Sequence, residues 1–454
     1  DRVTEDAWMG LKTAEEAAAY RKGVREAALR AMGGLPERTP LNVQETGTVQ
    51  KDGYSIVKIL FESRPKYYVT ANLFLPDPKK FKPPYAGVLV PCGHSLAGKG
   101  RNLYQHGGVV GAKAGLAMLV YDPTDQGERM QIPGSGLVCG HGHQHSGERA
   151  FLIGSSQAQF RLWDGMRALD VLAARPEVDA KRLGVMGLSG GGTMTAYISA
   201  FDDRVVCACP AGYITTVRDV CMECGPQDAE QVIYGQLGFG LNHLGFLLLR
   251  GTRPVCPVFS HDDFFTFRGS METQRLAERF YAKFGAADAI SHLEAPGPHD
   301  WYASSIVGSV AWMRRHLCGD TASFDPKSFE PLNLGFTYDA ADCGVADDPD
   351  DVRFVTKTGQ VMDIPGARSI YDILRDEYRA IRAKRAPLDP AAVRRVSTVR
   401  DPAELKVLTK ELSRRTADGV TAVRRVFVRE DGVQFASVSL IPEKASGAPV
   451  FIVA

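Results

Sequence analysis

The chain has 454 residues, 44% of them hydrophobic and 24% charged, and a formal net charge of +1. That length exceeds one ordinary domain, and the composition is that of a globular protein rather than a fibrous or disordered one. The balanced charge comes without a basic stripe, which argues against nucleic acid or an anionic membrane surface as a partner, and no run of about 18 apolar residues is available to span a bilayer.

The start at Asp1-Arg2-Val3 has no initiator Met and no basic-then-apolar leader, which suggests a processed or trimmed beginning. Thr13-Ala14-Glu15-Glu16 has the spacing of a capping box and opens an alanine-rich helix that closes at Gly33-Gly34. Residues 1–40 therefore read as an N-terminal helical arm. From Val43 the texture becomes alternating, with antiparallel strands expected over 54–61 and 67–75.

Beyond Pro83-Pro84 short apolar runs alternate with helical periodicity, the pattern of a mostly parallel sheet flanked by helices. Strands are expected over 86–91, 116–122, 182–188, 204–209, 254–260 and 290–295. Helical repeats fall between them, for example Leu162, Trp163, Met166, Leu169 and Leu172. The fold class is α/β, with the main domain over 41–318. After Cys318 periodicity fades, so 319–389 reads as a linker and helical connection.

Residues 390–454 repeat an earlier theme. Phe435 to Pro442, then Glu443-Lys444 and Pro449 to Val453, parallels Val69 to Pro76, then Lys79-Lys80 and Ala86 to Val90. This reads as the start of a second, incomplete unit of the same α/β kind, since the chain stops where that unit's own site would begin.

The strand over 182–188 runs into Gly187-Leu188-Ser189-Gly190-Gly191, a G-x-S-x-G pentapeptide followed by a helix. A serine on such a strand-to-helix turn sits in strained backbone, and small neighbours keep it from clashing. A serine hydroxyl needs a base, usually a histidine oriented by a carboxylate, and in this fold the partners follow in the order Ser, Asp/Glu, His. The strand at 254–260 ends in His261-Asp262-Asp263, which offers two acids, Asp262 and Asp263. The strand at 290–295 ends in Pro296-Gly297-Pro298-His299 and offers His299 as the base, ahead of His292 and His316, which fall inside elements. Two backbone N–H groups are needed for an oxyanion. Gly190 directly follows the nucleophile, and His94 lies in the turn Cys92-Gly93-His94-Ser95 after the strand at 86–91.

Two clusters have metal-like spacing. Cys207/Cys209 with Cys221/Cys224 could supply four thiolates, but the first pair lies on a buried strand and reads as core. His141, His143 and His145 alternate in the long loop over 123–156, which reads as the rim of a cleft rather than a metal site. The nine cysteines are odd in number and scattered, unlike a disulfide-stapled domain.

Beyond the elbow, the specific features are Tyr121-Asp122-Pro123 leading to Gln126-Gly127-Glu128-Arg129, Arg161-Leu162-Trp163-Asp164-Gly165, Gly225-Pro226-Gln227-Asp228-Ala229-Glu230-Gln231 and Asp263-Phe264-Phe265. Together these residues resemble bacterial α/β hydrolases of the acetyl xylan esterase and cephalosporin deacetylase type, relatives of the dienelactone hydrolases. The resemblance covers about residues 40 to 318. It implies an α/β-hydrolase fold and a Ser189, Asp263, His299 triad without cofactor or metal. It also implies a serine carboxylesterase that deacetylates carbohydrate, in a secreted or periplasmic setting. Dienelactone hydrolases proper carry Cys as nucleophile, and glucuronoyl esterases carry Arg after it. Here those positions are Ser189 and Gly190. The competing readings are a peptidase of the prolyl oligopeptidase type and a catalytically inactive carbohydrate-binding protein.

Overall fold

The computed structural model describes residues 1–137, 139–225, 227–320, 354–386, 389–397, 406–430, 432 and 434–444. Among these, strands β1 (Gln44–Lys51), β2 (Tyr54–Arg64), β3 (Tyr67–Pro76), β4 (Tyr85–Pro91), β5 (Leu116–Tyr121), β6 (Val178–Leu188), β7 (Val205–Ala211), β8 (Val258–Ser260) and β9 (Leu293–Ala295) form one sheet in the order β1-β2-β3-β5-β4-β6-β7-β8-β9. The pairs from β1 through β3 to β5 are antiparallel, and all pairs from β5 to β9 are parallel.

A parallel sheet buries both faces, so its strands carry apolar residues at every position rather than at alternate ones. Val88, Val90, Met118, Val120 and Met186 pack toward the helices Asn102–Lys113 and Ala303–Cys318. Leu89, Leu119 and Val185, one step out of phase, pack toward the helices Gln157–Ala173, Gly190–Phe201, His243–Leu249 and Phe267–Lys283. The last two strands are shorter than the apolar runs predict. Pro257 has no N–H to give, so pairing at that edge shrinks to β8, β9 and an isolated bridge between Val255 and Ile290.

The helix Ala14–Ala31 begins with Thr13 accepting the Glu16 N–H at 3.2 Å, the expected cap. Ahead of it Trp8 is fully buried, its ring edge-on to Tyr20 and Phe280 and its Nε1 donating to the Gly240 carbonyl at 3.0 Å.

Residues 354–381 lie against the sheet domain and tie down the loop that leaves β5. The Val355 and Thr356 N–H groups donate to the Glu128 carboxylate at 2.8 and 2.7 Å, and Ile370 N–H donates to Gln131 at 2.7 Å. Glu128 is also 2.6 Å from Lys99 Nζ, which is 2.7 Å from Asp122, and all three side chains are buried. One lysine therefore compensates two carboxylates.

The chain divides into two compact units, Asp1–Ile381 and Arg382–Ala454. In the second, β10 (Val407–Ala417), β11 (Val420–Arg429) and β12 (Gln434–Pro442) form an antiparallel meander. Its register matches that of β1 to β3. Lys51↔Tyr54 flanks Asp52-Gly53 as Ala417↔Val420 flanks Asp418-Gly419, and Tyr54↔Pro76 corresponds to Val420↔Pro442. A bulge at Glu45/Gly47 corresponds to one at Glu411/Ser413. The strand expected over 449–453 and residues 321–353 of the predicted linker lie outside the described residues. No helix among the described residues is long and apolar enough to cross a membrane.

Replacing Lys99 with Met would strand two buried carboxylates. Breaking a buried pair in this way costs about 3–5 kcal/mol, so Lys99→Met is expected to lower the urea midpoint of the first unit by that equivalent. An unchanged midpoint would show that the ion cluster carries no stability.

Candidate active site

The elbow is set by backbone crowding. Ser189 has φ 61° and ψ −126°, a conformation that L residues rarely adopt and that costs on the order of 1–3 kcal/mol. It is held from both sides of the sheet centre. Ser189 N–H donates to the Ala211 carbonyl of β7 at 2.9 Å, and its own carbonyl accepts from Thr193 at 2.8 Å. A Cβ on Gly187 would lie 2.7 Å from the Pro91 carbonyl oxygen of β4, and one on Gly191 only 2.2 Å from it. The glycines of the pentapeptide are thus imposed by the end of the neighbouring strand.

The turns after β8 and β9 bring Asp263 and His299 together. His299 Nδ1 lies 2.9 and 2.8 Å from the two Asp263 oxygens, and Oδ1 also accepts the Phe265 N–H at 2.9 Å. Asp262 is exposed, and its N–H bonds the Gly297 carbonyl at 2.9 Å, joining the two turns. Of the two candidate acids, only Asp263 meets the histidine. A carboxylate at Nδ1 fixes the proton there, so Nε2 carries the lone pair. That Nε2 is buried and has no hydrogen-bond partner among the described residues. The ring lies over Gly212, whose Cβ position is 2.8 Å from His299 Cε1, directly after the Ala211 that anchors Ser189. Phe264, half exposed, packs tilted against the same ring with centroids 4.4 Å apart. His292 faces Glu278 and Glu294, and His316 packs on Trp312, so neither joins this group.

The turn after β4 passes directly over the serine, with the Cβ position of Gly93 3.0 Å from Ser189 Cβ. Gly93 N–H is spent on the Tyr104 hydroxyl at 2.5 Å, and its carbonyl accepts from Gln126 at 2.7 Å. The next N–H along the turn is that of His94. Gly190, the other oxyanion candidate, is the first residue of its helix, where N–H groups have no intrahelical acceptor.

Sequence reasoning missed the polar group beside this turn. The predicted loop over 123–156 contains a helix, Cys139–Phe151, rich in Gly and His and weak in intrinsic propensity. Close packing explains it: the Cβ position of Gly147 lies 2.3 Å from Ala229 Cβ. This helix sends His143 inward, while His145 Nδ1 meets the Tyr371 hydroxyl at 2.8 Å. Glu230 is buried with one oxygen 2.9 Å from His94 Nε2 and the other 3.2 Å from His143 Nε2. Asp228 lies 3.7 Å from His94 and 4.0 Å from His143. Arg161 approaches Glu230 at 3.5 Å and His143 Nδ1 at 2.9 Å. Both Glu230 and Arg161 sit in segments that carried the family resemblance, the one signal that could have found them.

Among the described residues, His94, His143, Asp228 and Glu230 form a cluster of metal-ligand type. The arginine decides against that use. A guanidinium only donates, so His143 Nδ1 accepts, the ring proton sits on Nε2, and the nitrogen facing the cluster has no lone pair to give a cation. Burial pushes the His143 pKa well below its usual value, which keeps the ring neutral. Burial would raise that of Glu230, but the Arg161 guanidinium and the hydrogen bond from His94 outweigh it and hold the carboxylate below its ordinary range. The four cysteines do not assemble either. Cys207 and Cys209 are buried on β7, Cys221 is exposed, and Cys224 contacts the Phe264 carbonyl.

No family model matches the chain. YtaP of Bacillus subtilis (strain 168), named as a hydrolase, is 28% identical over 203 residues, 40% of this chain and 60% of that protein. Methylesterase BT1017 superposes with a TM-score of 0.59 at 19% identity, covering 84% of this chain and 81% of its own. A glucuronoyl esterase from Solibacter usitatus gives 0.53 at 15% identity, covering 67% and 94%. A protein of Bacteroides fragilis, BF1801, described as an acetyl xylan esterase, gives 0.51 at 16% identity, covering 62% and 76%. At these identities the likeness establishes the fold, and the strand order agrees: this is an α/β-hydrolase fold.

Asp125, behind the His143 helix, has its pKa raised from 3.8 to about 6 by burial, against the Gln131 N–H and two arginines that lower it. From about pH 4 to 6 the folded protein then holds a proton that the unfolded chain releases, so stability falls as pH rises through that window. Asp125→Asn is expected to stabilise the protein by roughly 1–3 kcal/mol at about pH 7.5 and by little near pH 4. Thermal unfolding at the two pH values checks it, and an equal shift at both would refute the ionisation argument.

Proposed function

We propose that the protein is a serine carboxylesterase that acts on esterified carbohydrate, most simply by removing acetyl groups through an acyl-enzyme on Ser189. The observation that carries the reading is the buried, unpartnered Nε2 of His299, backed at Nδ1 by Asp263, on the same end of the sheet as the strained Ser189 elbow. His299 Nε2 takes the Ser189 proton as Oγ attacks the ester carbonyl. The Gly190 and His94 N–H groups stabilise the oxyanion that forms. Collapse breaks the bond to the leaving alcohol, which takes its proton from His299. Water, deprotonated by the same imidazole, then releases the acid. Asp263 holds the imidazole orientation throughout.

Support for the carbohydrate ester comes from the names of the structural neighbours, all esterases, two of them named for carbohydrate substrates. The half-exposed Phe264 ring beside His299 offers an apolar face on which a sugar ring or acyl group could rest. The peptidase reading draws no such support, because β1 to β3, which precede the α/β units, join the catalytic sheet itself.

Ser189→Ala is expected to reduce p-nitrophenyl acetate turnover by about 10³-fold or more while leaving the unfolding temperature in place. Retained turnover would sink the assignment. The substrate is checked by comparing acetate release from acetylated xylan with methanol release from methyl-esterified pectin, with acetate expected to dominate.

The acid is tested separately. Asp263→Asn is expected to lower kcat by about 10³–10⁴-fold with little change in KM, because an amide favours the wrong imidazole tautomer. Asp262→Asn is expected to stay within about twofold of the parent enzyme. The reverse result would exchange the two roles.

A further inference from the structure

Glu230 lies beside the elbow yet takes no part in the triad. The Cβ position of Gly190 is 3.5 Å from Glu230 Oε1 and 3.5 Å from His94 Nε2, and those two atoms are 2.9 Å apart. The carboxylate therefore fills the space between the two chain segments whose N–H groups would meet the oxyanion. We propose that Glu230 is a positioning residue that fixes one arm of the oxyanion site by anchoring the His94 imidazole, with Arg161 and His143 holding the carboxylate in place. The proposal rests on Ser189 being the nucleophile.

The geometry supports it from both ends. His94 sits in a turn outside helix and strand, its side chain about a quarter exposed; the Gly93 carbonyl of its peptide is tied to Gln126 at 2.7 Å, and the bond from its imidazole to Glu230 ties the residue on its other side. Its side chain has one close hydrogen-bond partner, Glu230, with Asp228 farther off at 3.7 Å. Glu230, by contrast, cannot shift. It lies in the single helical turn Ala229–Gln231, fully buried, and the adjacent Gln231 donates to Thr193 on the elbow helix at 3.1 Å. The elbow helix, the Glu230 turn and the His94 turn thus form one connected unit, and a donor displaced by a fraction of an ångström loses much of its effect on an oxyanion.

The surrounding charges fit this use. A bare carboxylate next to a developing oxyanion would repel it, so an anchor of this kind needs a local cation. Arg161 supplies it at 3.5 Å, and His143 Nε2 packs 3.2 Å from the second carboxylate oxygen without hydrogen-bond alignment. Because Arg161 occupies its Nδ1, His143 carries its ring proton on Nε2 and turns no lone pair toward Glu230, so the Arg161 charge and close packing hold the carboxylate.

The test uses the full chain with p-nitrophenyl acetate and compares His94→Ala, Glu230→Gln, the double variant and His94→Gln. His94→Ala keeps its backbone N–H, so a loss reports the anchor and not the donor. Both single variants are expected to lower kcat by about 10–100-fold with KM within about twofold. The double variant should be no worse than the poorer single, because Glu230 acts through His94. His94→Gln, whose amide can still donate to Glu230, should recover part of the loss. If Glu230→Gln fails to fold by circular dichroism, the two His94 variants carry the test. A His94→Ala enzyme with parental kcat overturns the proposal, and so do single losses that multiply in the double variant. Equimolar bound divalent metal in the purified parent, whose removal by a chelator reproduces the Glu230→Gln loss, overturns it in favour of a cation site. An active Ser189→Ala enzyme marks failure of the underlying hydrolase reading instead, whereas inactive Ser189→Ala with fully active His94→Ala marks failure of the anchor alone.

Discussion

The carbonyl of Pro91 is the constraint on which the rest of the site depends. It projects from the end of β4 into the space that side chains at positions 187 and 191 would fill, and so leaves glycine as the residue that fits at both. With the neighbours reduced to backbone, β6 can pass close enough to β4 and β7 for Ser189 to be pinned by Ala211 in a conformation it would not adopt alone. The strain is affordable because the parallel ladders on both sides of β6 over-determine the turn. The same close approach carries the loop after β4 over the serine, which puts an N–H donor opposite the one at the start of the elbow helix. The placements of the proposed nucleophile and of the proposed oxyanion donors are therefore consequences of one steric fact.

Around this centre the polar groups are buried in compensated sets. Lys99 balances Asp122 and Glu128, Arg129 pairs with Asp164 at 2.8 Å, and Arg161 faces Glu230. Each set costs desolvation, and replacing it with apolar residues could in principle be as stable. What the charges add is placement. Glu128 receives two backbone N–H groups from the 354–381 segment, and Asp164 also accepts the Ser63 hydroxyl at 2.5 Å, so each ion pair doubles as a fastening between segments far apart in sequence. The long loop after β5 needs such fastenings because it has little apolar surface to bury.

How much of this was legible in the sequence depends on the range of the forces involved. The parallel strands were readable because burial on both faces writes continuous apolar runs; Ser189 and His299 could be proposed because the elbow pattern and strand-end positions are local, whereas Asp263 was preferred to Asp262 only through the family resemblance. The short β8 and β9 were over-read because periodicity does not register that Pro257 cannot donate. The helix Cys139–Phe151 escaped because its signal lies in tertiary packing, at Gly147 against Ala229, and not in its own Gly- and His-rich sequence. The Glu230 group was invisible for the same reason. His94, His143, Arg161 and Glu230 come from four separate segments, and nothing in their spacing requires them to meet.

The group also shows why a carboxylate can sit so near an anionic transition state. Two like charges about 6 Å apart repel by about 3 kcal/mol at an effective dielectric near 20, enough to slow a reaction by about two orders of magnitude. A guanidinium at similar range cancels most of that and, unlike a lysine, cannot shed its proton when buried. Once the charge is neutralised, what remains of Glu230 is geometry: an immobile acceptor that fixes the one ring on a turn whose backbone is already tied at Gly93. An amide could fill the same space but would hold that ring more weakly, since hydrogen bonds to a charged acceptor are roughly twice as strong as neutral ones. The arrangement gains rigidity from a charge whose field it must then suppress, and for this reason the arginine belongs to the design as much as the glutamate does.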